Sequence, residues 1–245
     1  IIIANWKMKL GIPESIDLAK AIKKKASKKA ELVICPSFVS LTEVSKVLKG
    51  SGIALGAQNC FWEGSGAFTG EVSAMYLREA GCRFVILGHS ERRKYLGETN
   101  EMVHNKVKMA LSAGLIPIIC VGETFDQRQQ GAKDYVLIEQ TTKALEGASV
   151  GLNEQVIIAY EPVWVIGSGQ AVEPEEADLA HQVIRQSLFD MFPPSLVKNN
   201  FRIIYGGSVD GGNVANFTGS KNCAGVLVGG ASLDAENFSA IIKNV

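Results

Sequence analysis

The sequence predicts an α/β protein built as a single (β/α)8 barrel, with eight parallel strands surrounded by helices, over residues 1–245. Three observations carry this. Eight short runs rich in β-branched residues recur along the chain, each followed by a polar or glycine-bearing turn and then an amphipathic stretch. Those runs are almost free of charge, the pattern of parallel strands covered on both faces. No shift in composition marks a linker, and 245 residues suit one barrel of about 250 residues as naturally as two smaller domains.

The first run, residues 1–4, ends in Asn5-Trp6-Lys7. An open doubly wound sheet is the alternative arrangement, but it would want a glycine fingerprint at this turn, and none is present. The following helical stretch has Pro13 at its first position, Glu14 and Asp17 in its first turn, and Lys20, Lys23, Lys24, Lys25, Lys28 and Lys29 toward its end. That polarity suits the helix dipole. With no aromatic residues interleaved, the lysines read as a solvated face and not as a nucleic-acid platform. Residues 32–35 form the second strand and 53–57 the third, which leaves Gln58 and Asn59 at its end. The fourth, residues 84–87, runs into Gly88-His89-Ser90-Glu91, and the fifth covers 116–121. The sixth, residues 156–160, leads into Glu161-Pro162-Val163-Trp164. A helix then starts near Pro174, headed by Glu173, Glu175 and Glu176, with Ala177, Ala180, Ile184 and Leu188 at helical spacing. Residues 201–205 and 225–228 complete the set, ending in Gly206-Gly207-Ser208 and Gly229-Gly230.

Composition narrows the function. Lys and Arg number 25 and Asp and Glu number 25, so no polyanion or anionic membrane is favoured as a partner. Five cysteines, odd in number and without a CxxC pair, argue against a disulfide framework and for a reduced, cytoplasmic location. Residues 1–245 carry no charged and apolar leader pattern and no apolar run long enough to span a bilayer, so neither secretion nor membrane insertion is expected. The three histidines lack metal-ligand spacing, and Gly-Gly-Ser-Val around Ser208 is not a nucleophile elbow, so neither metal nor serine chemistry is expected.

In a barrel of this kind the chemistry lies at the C-terminal ends of the strands. Asn5, Lys7, His89 and Glu161 all fall there, beside glycine turns after the late strands. Each residue alone has an ordinary structural use; their coincidence on one rim points to a site. The loops after strands seven and eight are the usual phosphate grip in this architecture, where backbone N–H groups meet the anion.

Read with their flanks, these residues resemble the triosephosphate isomerase family. The matching segments are Asn5-Trp6-Lys7-Met8, Gly66-Ala67-Phe68-Thr69-Gly70-Glu71, Gly88-His89-Ser90-Glu91-Arg92-Arg93, Tyr160-Glu161-Pro162-Val163-Trp164, Tyr205-Gly206-Gly207-Ser208-Val209 and Val228-Gly229-Gly230-Ala231-Ser232-Leu233. They run end to end in the family's order. The resemblance implies a TIM barrel that interconverts dihydroxyacetone phosphate and D-glyceraldehyde 3-phosphate in glycolysis and gluconeogenesis, without metal or organic cofactor. It implies that Glu161 is the general base, that His89 polarises the carbonyl, that Lys7 and Asn5 steady the developing oxyanion, and that Glu91 belongs to the same cluster. Triosephosphate isomerases are themselves the type case of a helix N-terminus keeping such a histidine neutral, which is the expectation for His89 ahead of Ser90-Glu91-Arg92.

By the same resemblance the phosphate rests on Gly167, Ser208, Gly229 and Gly230. A lid with its tip at residues 165–169, including Ile166, Ser168 and Gly169, hinges at Pro162-Val163-Trp164 and at Gln170-Ala171-Val172; the lid of this family is the type case of such gating. Tyr205 and Ser208 are expected to latch it at the N–H groups of Val172 and Gly169. A homodimer is implied, with the segment 59–71 carrying Phe61, Trp62, Phe68 and Thr69 into a second subunit. Val165, Ser168 and Gln170 depart from the family's usual lid, and Lys9 from its usual subunit contact. A Schiff-base aldolase working through Lys7, and a barrel kept for binding alone, are the rival functions.

Overall fold

The computed structural model describes residues 1–26, 30–167 and 170–245. Eight strands close in chain order: β1 (Ile2–Asn5), β2 (Leu32–Cys35), β3 (Ala54–Ala57), β4 (Cys82–Leu87), β5 (Ile116–Val121), β6 (Val156–Tyr160), β7 (Phe201–Tyr205) and β8 (Val226–Val228). Every neighbouring pair is parallel, and β8 returns to β1 with Ile2 opposite Val226. The barrel is therefore closed, and the open sheet is excluded.

Both faces of the strands are apolar because both are covered. Ile3, Val33, Phe84, Ile118, Ile157 and Leu227 belong to a cluster inside the barrel. Their chain neighbours, such as Ile2, Ala4, Ile34, Val85 and Ile158, join the larger core that also takes in the helices. A strand alternates its side chains between faces, so an unbroken apolar run fills two cores at once.

Strand bounds differ from expectation where the local pattern misleads. β1 extends through Asn5, paired with Cys35, because a polar residue at the rim does not interrupt the backbone ladder. β4 begins at Cys82, opposite Leu55, although the exposed Arg83 hides that start in the pattern. The ladder of β3 starts at Ala54 and that of β8 at Val226, one residue later than the apolar runs.

The helices occupy the links. The first, α1 (Ile12–Lys25), has Pro13 at its second position and not its first, with Glu14 in its first turn. Asp17 pairs instead with Lys20 at 3.5 Å on the surface. Lys20, Lys23 and Lys24 are exposed as expected, while Lys28 and Lys29 lie outside the described residues. Next come α2 (Leu41–Leu48), α3 (Ala74–Glu79), α4 (Ser90–Leu96), α5 (Asn100–Ser112), α6 (Phe125–Gln129) and α7 (Lys133–Leu145). Then α8 (Pro174–Met191) starts at its proline, and Ala177, Ala180, Ile184 and Leu188 are buried along one face. After it stand α9 (Pro194–Asn200), α10 (Val214–Thr218) and α11 (Ala235–Asn244). Among the described residues no helix is long and apolar enough to cross a membrane.

Candidate active site

One end of the barrel opens into a cavity of about 260 Å³, lined in part by Asn5, Lys7, His89, Glu161, Ile166 and Gly167 on one side and Ser208, Gly229 and Gly230 on the other. Asn5, Lys7, His89, Glu161, Ser208, Gly229 and Gly230 are expected from the strand ends, and Ile166 and Gly167 from the family resemblance. They arrive from the loops after β1, β4, β6, β7 and β8, which only a closed barrel brings to one mouth.

Lys7 sits in the left-handed region at φ 51°, unlike any other non-glycine among the described residues. That conformation is uncommon for a side chain and persists only where its surroundings hold it. The hold is visible. The Lys7 N–H donates to Asn5 Oδ1 at 3.0 Å, and its carbonyl accepts from Gln58 Nε2 at 2.9 Å. Gln58 Nε2 also donates to the Cys35 carbonyl at 2.9 Å, so the turn is tied to the end of β2. The Lys7 ammonium then meets Glu91 Oε1 at 2.6 Å, which brings Glu91 into the cluster although it does not line the cavity.

His89 is the N-cap of α4, and its Nδ1 accepts the Glu91 N–H at 3.3 Å. An accepting Nδ1 carries no proton, so the ring proton is on Nε2. That nitrogen stands 3.1 Å from Glu161 Oε1.

Glu161 is 2% exposed. Its Oε2 accepts the Ser90 N–H at 2.9 Å. Its Oε1 lies close to the imidazole but off the line of a hydrogen bond, and is buried without an aligned donor. A buried carboxylate oxygen left without a donor is costly, and such exceptions call for a functional explanation. The backbone beneath is fixed: the Glu161 N–H donates to Val121 at 2.7 Å. Gly122 makes this approach possible, since a Cβ there would fall 1.7 Å from the Glu161 carbonyl oxygen.

The strand-six loop continues as a single 3-10 turn, Val163–Val165. The Trp164 indole N–H donates to Glu123 Oε1 at 2.8 Å, and the Val163 N–H to the Glu123 carbonyl at 3.1 Å. At the far end of the lid the Val172 N–H donates to the Tyr205 hydroxyl at 3.4 Å, as expected. Burial pushes the Tyr205 phenol up to about 12, so it serves as a neutral hydroxyl. Gly207 must stay a glycine beside it, because a Cβ there would lie 2.2 Å from that hydroxyl. The Ser208 hydroxyl donates to the Val165 carbonyl at 3.1 Å, at the hinge before the tip. The expected partner Gly169, like Ser168, lies outside the described residues.

In the segment proposed for subunit contact, Phe61 packs on Trp62 at 4.1 Å and on Phe68 at 4.8 Å between ring centroids. Thr69 and its neighbours are exposed, as is Met8, at 92%, next to Lys7. Among the described residues no three His, Cys, Asp or Glu side chains gather as metal ligands would. Sequence reasoning left three groups here without a role: Gln58, the Ser90 N–H and Glu123. Only Gln58, noted at a strand end, carried any signal.

A family model described as triosephosphate isomerase matches residues 1–245. A Dictyoglomus thermophilum protein named triosephosphate isomerase is 45% identical over 251 residues, covering 100% of this chain and 98% of the relative. One of that name from Caldanaerobacter subterraneus is 46% identical over 244 residues, covering 99% and 98%. The crystal structure of triosephosphate isomerase from Bartonella henselae superposes with a TM-score of 0.89 at 37% identity, over 99% of this chain and 97% of that one.

Proposed function

The chain belongs to the triosephosphate isomerase family and is an aldose–ketose isomerase of triose phosphates, and we propose that it works by proton transfer to and from Glu161. The observation that carries this is the Glu161 Oε1 atom, buried and without an aligned donor, at the wall of a cavity that also presents Lys7 and His89. A carbon acid is weak, so a carboxylate deprotonates it only where the resulting charge is held by fixed dipoles and cations.

With dihydroxyacetone phosphate bound, Glu161 takes a proton from the hydroxymethyl carbon and the electron pair moves onto the carbonyl oxygen. The Lys7 ammonium and the His89 Nε2–H steady that enediolate oxygen, and Asn5 holds the Lys7 turn in place. His89 moves the proton between the two oxygens, and Glu161 returns its proton to the neighbouring carbon. Gly167, Ser208, Gly229 and Gly230 grip the phosphate through backbone N–H groups. The lid hinged at residues 162–164 and 170–172 excludes water, so the enediolate is protonated before it can expel phosphate. Lys7, ion-paired to Glu91, suits an electrostatic clamp and not the imine-forming amine of an aldolase.

The same proposal extends to assembly and location. A two-fold dimer would cover Phe68, Thr69 and Met8, which otherwise leave an apolar loop tip in solvent. Five buried, unpaired thiols suit a reducing cytoplasm.

Glu161→Asp tests the central role. It keeps the carboxylate but withdraws it by about 1.5 Å, one bond length. A misplacement of about 1 Å can cost about 10²-fold in rate. In a coupled assay of glyceraldehyde 3-phosphate isomerisation, kcat should fall by about 10²-fold with KM little changed. A kcat within a few-fold of the parent removes Glu161 from this role.

A further inference from the structure

Arg128 has no place in the chemistry described so far and does not line the cavity. It stands near the end of α6, a short helix whose start is fixed by a capping box between Thr124 and Gln127. Its guanidinium carbon lies over the Trp164 ring, 4.3 Å from the centroid. The same guanidinium forms a two-pronged pair with Glu176, Nη1 to Oε1 and Nη2 to Oε2, the latter at 3.0 Å. Trp164 belongs to the hinge before the lid, and Glu176 sits in the first turn of α8, just beyond the hinge at residues 170–172. One side chain therefore joins both ends of the lid to the loop after β5.

We propose that Arg128, oriented by Glu176, is a positioning residue that fixes the tilt of Trp164 and so sets how completely the lid closes over the phosphate. The proposal rests on the shielding role given to the lid above.

The turn after Pro162 is short. It is a single 3-10 turn, held at Val163 by the Glu123 carbonyl and at Val165 by Pro162 and Ser208. The indole adds to this grip, and it is held in two directions. Glu123 takes its N–H at 2.8 Å, which fixes the edge of the ring. That bond leaves rotation about its own axis free, and the plane of the ring is fixed by the guanidinium beneath it.

Arginine suits the task where lysine does not. Its planar fork stacks on an aromatic face while holding a carboxylate through two parallel bonds; an ammonium does neither in one geometry. Glu176 is not abandoned if Arg128 changes, since Lys133 Nζ stands 4.0 Å from its Oε1. Loss of Arg128 thus reports on the stack more than on an unpaired carboxylate.

The test uses the full-length enzyme and the variants Arg128→Met, Arg128→Lys and Glu176→Gln. Two quantities are read: the share of turnovers that end in free phosphate in place of isomer, and competitive inhibition by inorganic phosphate. Once the uncatalysed elimination measured without enzyme is subtracted, the share is a ratio that loss of folded enzyme does not move. Both Arg128 variants should raise that share and weaken phosphate inhibition by about 2- to 30-fold, the factor a stack of this kind supplies. Glu176→Gln should lie between them and the parent. Arg128→Lys keeps an ion pair with Glu176 and carries the test if Arg128→Met does not fold. Parental values of both quantities in a folded Arg128 variant overturn the proposal. Deletion of residues 166–169 is run in parallel and should raise the share further. If that deletion leaves the share at the parental value, the shielding role of the lid fails, and phosphate inhibition then decides the part played by Arg128 alone.

Discussion

Replacing His181 with leucine should make the protein less sensitive to mild acid. His181 lies on α8, 1% exposed, and its ring meets Tyr160 edge-on at 6.1 Å between centroids. Neither ring nitrogen has an aligned hydrogen-bond partner. Burial is the main reason that its pKa falls from 6.5 to about 4; Arg185 on the same helix adds to the fall, while Asp178 and the Ile204 backbone oppose it. Above about pH 6.5 the ring is neutral in both folded and unfolded chains, and the site contributes no pH dependence. Below that value the unfolded chain binds a proton that the folded one refuses, so stability falls with pH until the folded pKa is reached. The full span is about 3 kcal/mol, and the part lost between about pH 7.5 and pH 5 is about 2 kcal/mol. Leucine has a similar volume and no proton to bind, so His181→Leu removes this component and leaves the rest of the acid response in place. Stability would be measured for both proteins by denaturant unfolding at fixed protein concentration across that range. The difference between them should move by about 2 kcal/mol in favour of the leucine variant as pH falls. Parallel profiles would show that the buried ring finds a proton acceptor in the folded state, and the reasoning fails.

Two further outcomes follow from the site. Lys7→Ala should weaken phosphate binding and slow turnover together, because one cation serves both; loss of one oxyanion donor typically costs about 10²–10³-fold. Normal turnover in that variant removes Lys7 from the catalytic set, and His89→Gln should slow turnover by about 10²–10⁴-fold on the same assay. Light scattering should give a dimer at micromolar concentration, and Phe68→Asp should reduce both dimer content and activity. A fully active monomer under those conditions contradicts the proposed subunit contact.

The fold was legible because a closed barrel of parallel strands covers every strand twice. Residues 32–35, 116–121, 156–160 and 201–205 coincide with β2, β5, β6 and β7. Where a rim or exposed residue broke the apolar pattern, as Asn5 and Arg83 do, the bounds shifted by one or two positions. The site was legible for a related reason: Asn5, Lys7, His89 and Glu161 each have an ordinary structural use alone, but all fall at the C-terminal ends of buried strands, which a barrel brings to one rim. What stayed hidden were pairings between distant loops. Gln58 on the Lys7 carbonyl, the Ser90 N–H on Glu161 and Arg128 beneath Trp164 join residues 51, 71 and 36 positions apart. No local period marks such contacts, and each depends on how neighbouring loops fold over the same rim. The bond of the Ser208 hydroxyl to the Val165 carbonyl, 43 positions away, shows the same limit.

The central claim is that a proton leaves carbon, rests on Glu161 and returns to the neighbouring carbon. Isomerisation of dihydroxyacetone phosphate in deuterated water, with the product aldehyde trapped by oxidation to the carboxylate as it forms, tests it most directly. A proton that passes through a carboxylate can exchange with solvent before it returns. The account therefore predicts deuterium at the carbon next to the new aldehyde, with Glu161→Gln abolishing turnover and labelling together. Product formed at the full rate with no deuterium on that carbon would mean that hydrogen passes directly between the carbons, and would contradict the assignment of Glu161 as the base.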